Sequence, residues 1–180
     1  MSDDNLGNSE AAQDNPVWVA WKQPDRIDAQ IDVLFRAVMT LPVEADPMPA
    51  SGRHSDAMLE WMNPFFGWYF PEYSDLADPA NADVLDQFVC WIGQAFVRRA
   101  GAVWVSEPEG APQFYSNAFS PAVAFPYAPE LVPENIVGLL ADPHPDILEE
   151  DAPDFPVLWA AQHMLSARVG DYDYEMSTRQ

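Results

Sequence analysis

The sequence predicts an α+β fold: a helix-rich single domain with a buried central helix and a small antiparallel sheet. Three observations predict it. The stretch "DVLDQFVCWIGQAFVRRAG" (83–101) is apolar around well over half of a helical circumference. Directly after it, "AVWVS", "QFYS" and "AVAF" are β-rich runs separated by turn residues. Apolar residues also recur at helical spacing upstream, at Ile27, Ile31, Leu34, Phe35, Val38 and Leu41. With 180 residues, 48% of them hydrophobic, the chain can bury one sizeable core.

The elements follow in order. Residues 1–15, "MSDDNLGNSEAAQDN", read as a disordered acidic tail without the basic start and apolar run of a signal peptide. A single globular domain is expected over 16–170. "PVWVAWKQ" is short, apolar and aromatic, and suits a strand or an extended arm laid on the core. Pro24 and Asp25 open a helix that Pro42 ends, with charges on its outer face. "PVEADPMPASG" is a Pro-rich loop. Residues 55–62 suit a short helix with Ser55 as N-cap, stopped by Pro64. The next stretch, punctuated by Gly67, Pro71 and Pro79, reads as irregular structure.

The central helix begins at Asp83. Arg98 and Arg99 complement its C-terminal dipole, and Gly101 fits the position just past its end. Gly93 lies on its narrower face with Cys90 and Val97, where a missing side chain lets another backbone approach. The three β-rich runs make two or three strands, with "EPEG" (107–110) at the first turn. Pro133 and Glu134 open a short helix through Leu140, and 156–169 form a last amphipathic helix. "ADPHPDILEEDAPD" is an acidic loop, and residues 171–180 are a loose C-terminal tail.

Charge is the strongest global signal. Eight Lys and Arg stand against 29 Asp and Glu, a net charge of -21. Such a surface repels nucleic acid and anionic lipid, and it attracts and steers a basic protein. Solubility or salt adaptation accounts for the same charge equally well. No apolar run is long enough to span a membrane. The lone cysteine, Cys90, excludes an internal disulfide framework and makes the cytoplasm the default compartment.

Motifs for chemistry are scarce. His54, His144 and His163 show no metal-ligand spacing, and no CxxC occurs, so no metal and no cofactor is expected. Cys90 falls mid-helix among large apolar residues, where a thiol is usually inert. There is no GxSxG and no Gly-rich phosphate loop. The acidic runs lack the pattern of a calcium loop and read as a solvated face.

The aromatic stretch "WMNPFFGWYFPEY" (61–73) holds seven rings in thirteen residues. Burying one ring is worth roughly 1.5–3 kcal/mol, so most must be core. Trp61, Phe65, Phe66 and Trp68 are assigned there. Tyr69, Glu72, Tyr73 and Asp75 alternate ring and carboxylate around Pro71 and are the partner-facing candidates. Glu107, Glu109 and Gly110 of the "EPEG" turn offer a second acidic tip.

From 83 to 140 the chain runs "IGQAFVRRAGAVWV" and then "AFSPAVAFPYAPELVPENIVGLL". This order resembles small acidic actinobacterial proteins encoded beside secreted polymorphic toxins, which serve as immunity proteins. The likeness covers about a third of the chain. Those relatives tend to carry Gly-Glu where this chain has Gly93-Gln94. The resemblance implies a non-catalytic inhibitor that occludes the active cleft of a basic toxin such as a nuclease, an NAD-hydrolase or another hydrolase. A DNA-mimic protein is a subclass of that reading. The alternative is a small enzyme or ligand-binding protein with an aromatic-lined pocket.

Overall fold

The computed structural model describes residues 12–107, 115–116, 118–141 and 158–179. Its helices are α1 (Pro16–Trp21), α2 (Pro24–Val38), α3 (Asp56–Tyr69), α4 (Ala82–Arg99), α5 (Ile136–Ala141) and α6 (Trp159–Thr178). Strands β1 (Val103–Ser106), β2 (Pro121–Ala124) and β3 (Glu134–Asn135) form an antiparallel sheet in that order. The α+β class therefore holds. No helix among the described residues is long and apolar enough to cross a membrane.

α4 is the central element. It packs along α2 on one side and reaches α5, α6 and β2 on others. Phe88, Val89, Cys90, Trp91, Ile92, Ala95 and Phe96 are all fully buried. Its end is built as expected: Arg98 and Arg99 lie in the last turn, and Gly101 takes φ 60°, a left-handed conformation that costs glycine little. The ring of Tyr172 lies 2.5 Å from where a Gly101 Cβ would stand, so the position needs glycine twice over.

Several segments depart from the sequence expectation. "PVWVAW" is a helix, because Pro16 is preset for the first helical position and the Asn15 side chain accepts the Val17 N–H at 2.9 Å. The helix puts Trp18 and Trp21 on one buried face, stacked 5.3 Å apart, and leaves Val17 and Val19 outside. Of the supposed tail, residues 12–15 are held: the Gln13 amide donates to the Ser106 carbonyl at 2.8 Å and accepts the Ser106 N–H at 3.1 Å. It pairs with the strand edge as a backbone amide would. Residues 1–11 lie outside the described ones.

Pro64 sits inside α3 and does not stop it. An interior proline costs about 3 kcal/mol. The continuation buries Phe65, Phe66 and Phe70, each worth roughly 1.5–3 kcal/mol, so burial wins. "QFYS" supplies no third strand at Tyr115 or Ser116, and Gln113 and Phe114 lie outside the described residues. The third strand is Glu134–Asn135, expected to be helical; the Asn135 side chain accepts the Gly138 N–H at 2.8 Å and so starts α5 one residue later. Lastly, 171–178 are not loose. Leu165, Val169, Tyr172 and Met176 continue one apolar stripe past Gly170, and Tyr172 packs 5.3 Å from Tyr127.

Candidate functional site

α3 ends by dividing its rings between two environments. Phe65 and Phe66 face the core, and Phe70 follows them, 4.9 Å from Phe66. Trp68, assigned above to the core, is 50% exposed. Helical geometry forces this: at 100° per residue, a turn that buries 65, 66 and 70 points 68 outward. Gly67 beside it has nothing within 4 Å of its missing Cβ, so the approach to Trp68 is open. Trp61 is half-buried rather than core. Its indole N–H donates to the Asp46 carbonyl at 2.6 Å and its ring tilts over Phe65 at 4.7 Å, pinning the Pro-rich loop.

The partner-facing candidates fall in one continuous segment. Tyr69 is half-buried, packed edge-on to Trp68 at 5.3 Å, and burial pushes its hydroxyl up. Glu72 is exposed and caps the turn Tyr73–Ala77, where the Glu72 N–H donates to the Asp75 carboxylate at 2.8 Å. Tyr73 packs partly against the core. Asp75 is half-buried and its carbonyl accepts from the Asn81 amide at 3.0 Å. The segment is thus a rigid, capped acidic turn beside an exposed indole. Glu107 sits on the sheet instead, its N–H donating to the Ser120 carbonyl at 2.9 Å. Glu109 and Gly110 lie outside the described residues.

Two polar clusters were not foreseen. In the first, Asp86 accepts from the Trp21 indole at 2.7 Å, from Arg26 at 2.5 Å and from the Tyr115 hydroxyl. Arg26 also reaches the Cys90 sulfur at 3.3 Å and lies over the Trp21 ring. Burial, then the Asp86 charge, push the Cys90 thiol and the Tyr115 hydroxyl upward, so neither ionises near neutral pH. A cleft of ≈ 340 Å³ opens beside them, lined by Trp21, Leu76, Leu85, Asp86, Tyr115 and Phe119 among others. The signal in the sequence was a carboxylate set between Leu85 and Phe88 on the buried arc of α4.

The second cluster gathers Arg53, His54, Arg98 and Arg99. Here Arg53 pairs with Asp32, Arg98 with Asp28 at 3.6 Å, and Arg99 with Asp56 through both nitrogens at 2.7 and 2.9 Å. Burial, then the Arg98 and Arg53 charges, lower the His54 pKa to about 4. Its clue was the concentration of "RH" and "RR" in a chain with eight cations. Among the described residues no His, Cys, Asp and Glu group is arranged to hold a metal.

No family model matches the chain, and neither a curated protein nor a solved structure matches it.

Proposed function

We propose that this chain is a non-catalytic, cytoplasmic acidic protein-binding module, an immunity protein that occludes the active cleft of a basic toxin. The observation that carries this reading is Trp68: a large ring half exposed at the end of a helix, backed by Tyr69, beside the capped carboxylates of Glu72 and Asp75. Rigid aromatic anchors of this kind concentrate binding energy at interfaces. The charge of -21 supports it, since it would speed the approach of a cationic partner. The resemblance over 83–140 supplies the class.

The test is coexpression. A cationic C-terminal domain of a secreted protein, sought among the genes beside this one, should arrest growth when produced inside cells, and this chain should restore growth. Trp68→Ala, folded to the same extent as the parent, should lose that rescue. Failure of the parent chain to rescue, or unimpaired rescue by Trp68→Ala, counts against the reading. The aromatic-lined cleft beside Asp86 favours the alternative, a small-ligand binder. Against it, the Trp21 indole, Arg26 and the Tyr115 hydroxyl already donate to Asp86 within the fold.

A further inference from the structure

We infer that the outer face of α3 is a docking surface for a basic protein, and that the hollow between α3 and the Pro-rich loop receives an arginine side chain from it. The inference rests on the basic partner proposed above and names what that partner presents. Glu60, Pro64 and Trp68 stand four residues apart, so they form one stripe along the helix, and all three are exposed. The Pro-rich loop runs beside the first half of this stripe, tied there by the Trp61 indole N–H, which donates to the Asp46 carbonyl at 2.6 Å. Helix and loop enclose an open hollow of ≈ 760 Å³, and its lining includes Val43, Glu44, Asp46, Glu60, Trp61 and Pro64.

The charged groups of this lining are all carboxylates, and among the described residues no Lys, Arg or His pairs with any of them. The arginines are engaged elsewhere: Arg26 by Asp86, Arg53 by Asp32, Arg98 by Asp28, Arg99 by Asp56 and Arg168 by Glu134. Those carboxylates have their counter-charge within the fold; Glu44, Asp46 and Glu60 do not. Unneutralised carboxylates around a hollow with apolar walls concentrate negative potential and draw in a cation.

The indole selects which cation. Trp61 is half-buried, its N–H is taken by the Asp46 carbonyl, and its ring tilts over Phe65 at 4.7 Å. The ring is thus already fixed, and a ligand that stacks on it pays little to order it. A planar guanidinium can lie on the indole while its fork of N–H donors pairs with the carboxylates around it. An ammonium is more strongly hydrated and has no flat face to stack. A metal ion does not match, because among the described residues no three carboxylates are grouped closely enough to hold one. Trp68 lies one turn beyond Pro64, about 6 Å along the axis, so an exposed aromatic anchor adjoins the cation site.

The experiment follows the indole N–H signals of the full chain by NMR during titration with N-acetyl-arginine amide. N-acetyl-lysine amide and the uncharged citrulline analogue are the controls, and Trp61→Phe identifies the Trp61 signal. Arginine should shift that signal saturably, lysine should need at least about threefold more ligand, and citrulline should leave it in place. Glu44→Gln and Glu60→Gln should each weaken the response about two- to fivefold, the span of an exposed ion pair. Glu130→Gln removes the same charge outside the lining and should change nothing. In the growth-rescue assay, the double variant Glu44→Gln/Glu60→Gln should rescue less well than the parent. An arginine-dependent shift without rescue by the parent keeps the hollow and removes the immunity reading. Rescue that the double variant leaves intact removes the hollow alone. No saturable shift at Trp61, an equal shift by citrulline, or equal weakening by Glu130→Gln overturns the assignment.

Discussion

The indole of Trp104 occupies the space over Gly93 that any other residue would fill: a Cβ built there lies 1.9 Å from Cη2 and 2.4 Å from Cζ2. The neighbouring Gln94 accepts from the same indole N–H at 3.4 Å, and the ring stands edge-on to Trp21 at 5.1 Å. The adjacent pair Gly93-Gln94 therefore seats β1 on α4 and braces α1 through one side chain. The close approach is by a ring, not by the backbone that the sequence suggested.

Gly93→Ala tests this. In an ordinary helix interior the change would stabilise by about 1 kcal/mol. Here the methyl must displace the indole, and overpacking of this kind costs roughly 1–3 kcal/mol. The variant should melt lower than the parent. In a Trp104→Ala background the same substitution should become neutral or stabilising. A double-mutant cycle by thermal or urea unfolding reads the difference directly.

Asp86 binds three elements through one carboxylate, taking donors from α1, α2 and Tyr115. Its pairing with Arg26 is largely out of solvent, with side chains 31% and 16% exposed. Removing one partner of a buried pair strands the other charge. Asp86→Ala should cost about 3 kcal/mol or more, and Asp86→Asn less, because the amide oxygen still accepts from Trp21 or Tyr115. Cys90 gives a second readout: in the native parent it should resist thiol reagents at mildly alkaline pH, and Asp86→Ala should expose it by loosening the packing.

His54 fixes the sign of one pH effect. Its folded pKa of about 4 lies below the ordinary imidazole value of 6.5, so the unfolded chain binds the proton more readily. The contribution is nil above pH 6.5 and grows more unfavourable to the fold as pH falls from 6.5 toward about 4. Discounted for partial solvent screening, it is on the order of 1–2 kcal/mol. His54→Gln should therefore lose less melting temperature than the parent between these two values. Equal slopes would mean that the imidazole keeps its ordinary affinity for protons.

What the sequence made legible was periodicity, and what it hid was arrangement. α2 and α4 were readable because their apolar positions repeat over four turns or more and their ends carry proline, acidic and basic residues in the expected places. α1 was hidden because six residues hold too few turns to separate a helix from alternation, and its cap is a lone asparagine. The third strand was hidden because two residues pair only when Asn135 is already tied to Ser120, at 2.5 Å, across the sheet. The Asp86 and His54 clusters were hidden for a similar reason. Arg26 and Asp86 stand 60 residues apart, and Arg99 donates to the His54 carbonyl across 45. The acidic turn of the candidate interface was legible as a segment, while the exposed ring within it was misassigned.

That ring provides the last prediction. Trp61 and Trp68 lie seven residues apart on one helix and were both assigned to the core, yet their surroundings differ. Trp61 donates to the Asp46 carbonyl and packs on Phe65, so Trp61→Ala removes a hydrogen bond and loosens the loop it holds. Destabilisation of about 1–3 kcal/mol is expected, in the range for a partly buried aromatic. Trp68 is half exposed and touches Tyr69. Trp68→Ala should shift the melt by less than about 0.5 kcal/mol, the usual range for surface changes. It should weaken a complex with the basic partner by at least about 2 kcal/mol, as truncating an interface anchor does. Tyr73→Ala, whose ring packs partly on the core, should show up in both measurements. A large loss of stability in Trp68→Ala would return the ring to the core. An unchanged affinity, measured by titration calorimetry with the partner that the growth-rescue assay identifies, would move the interface away from the end of α3.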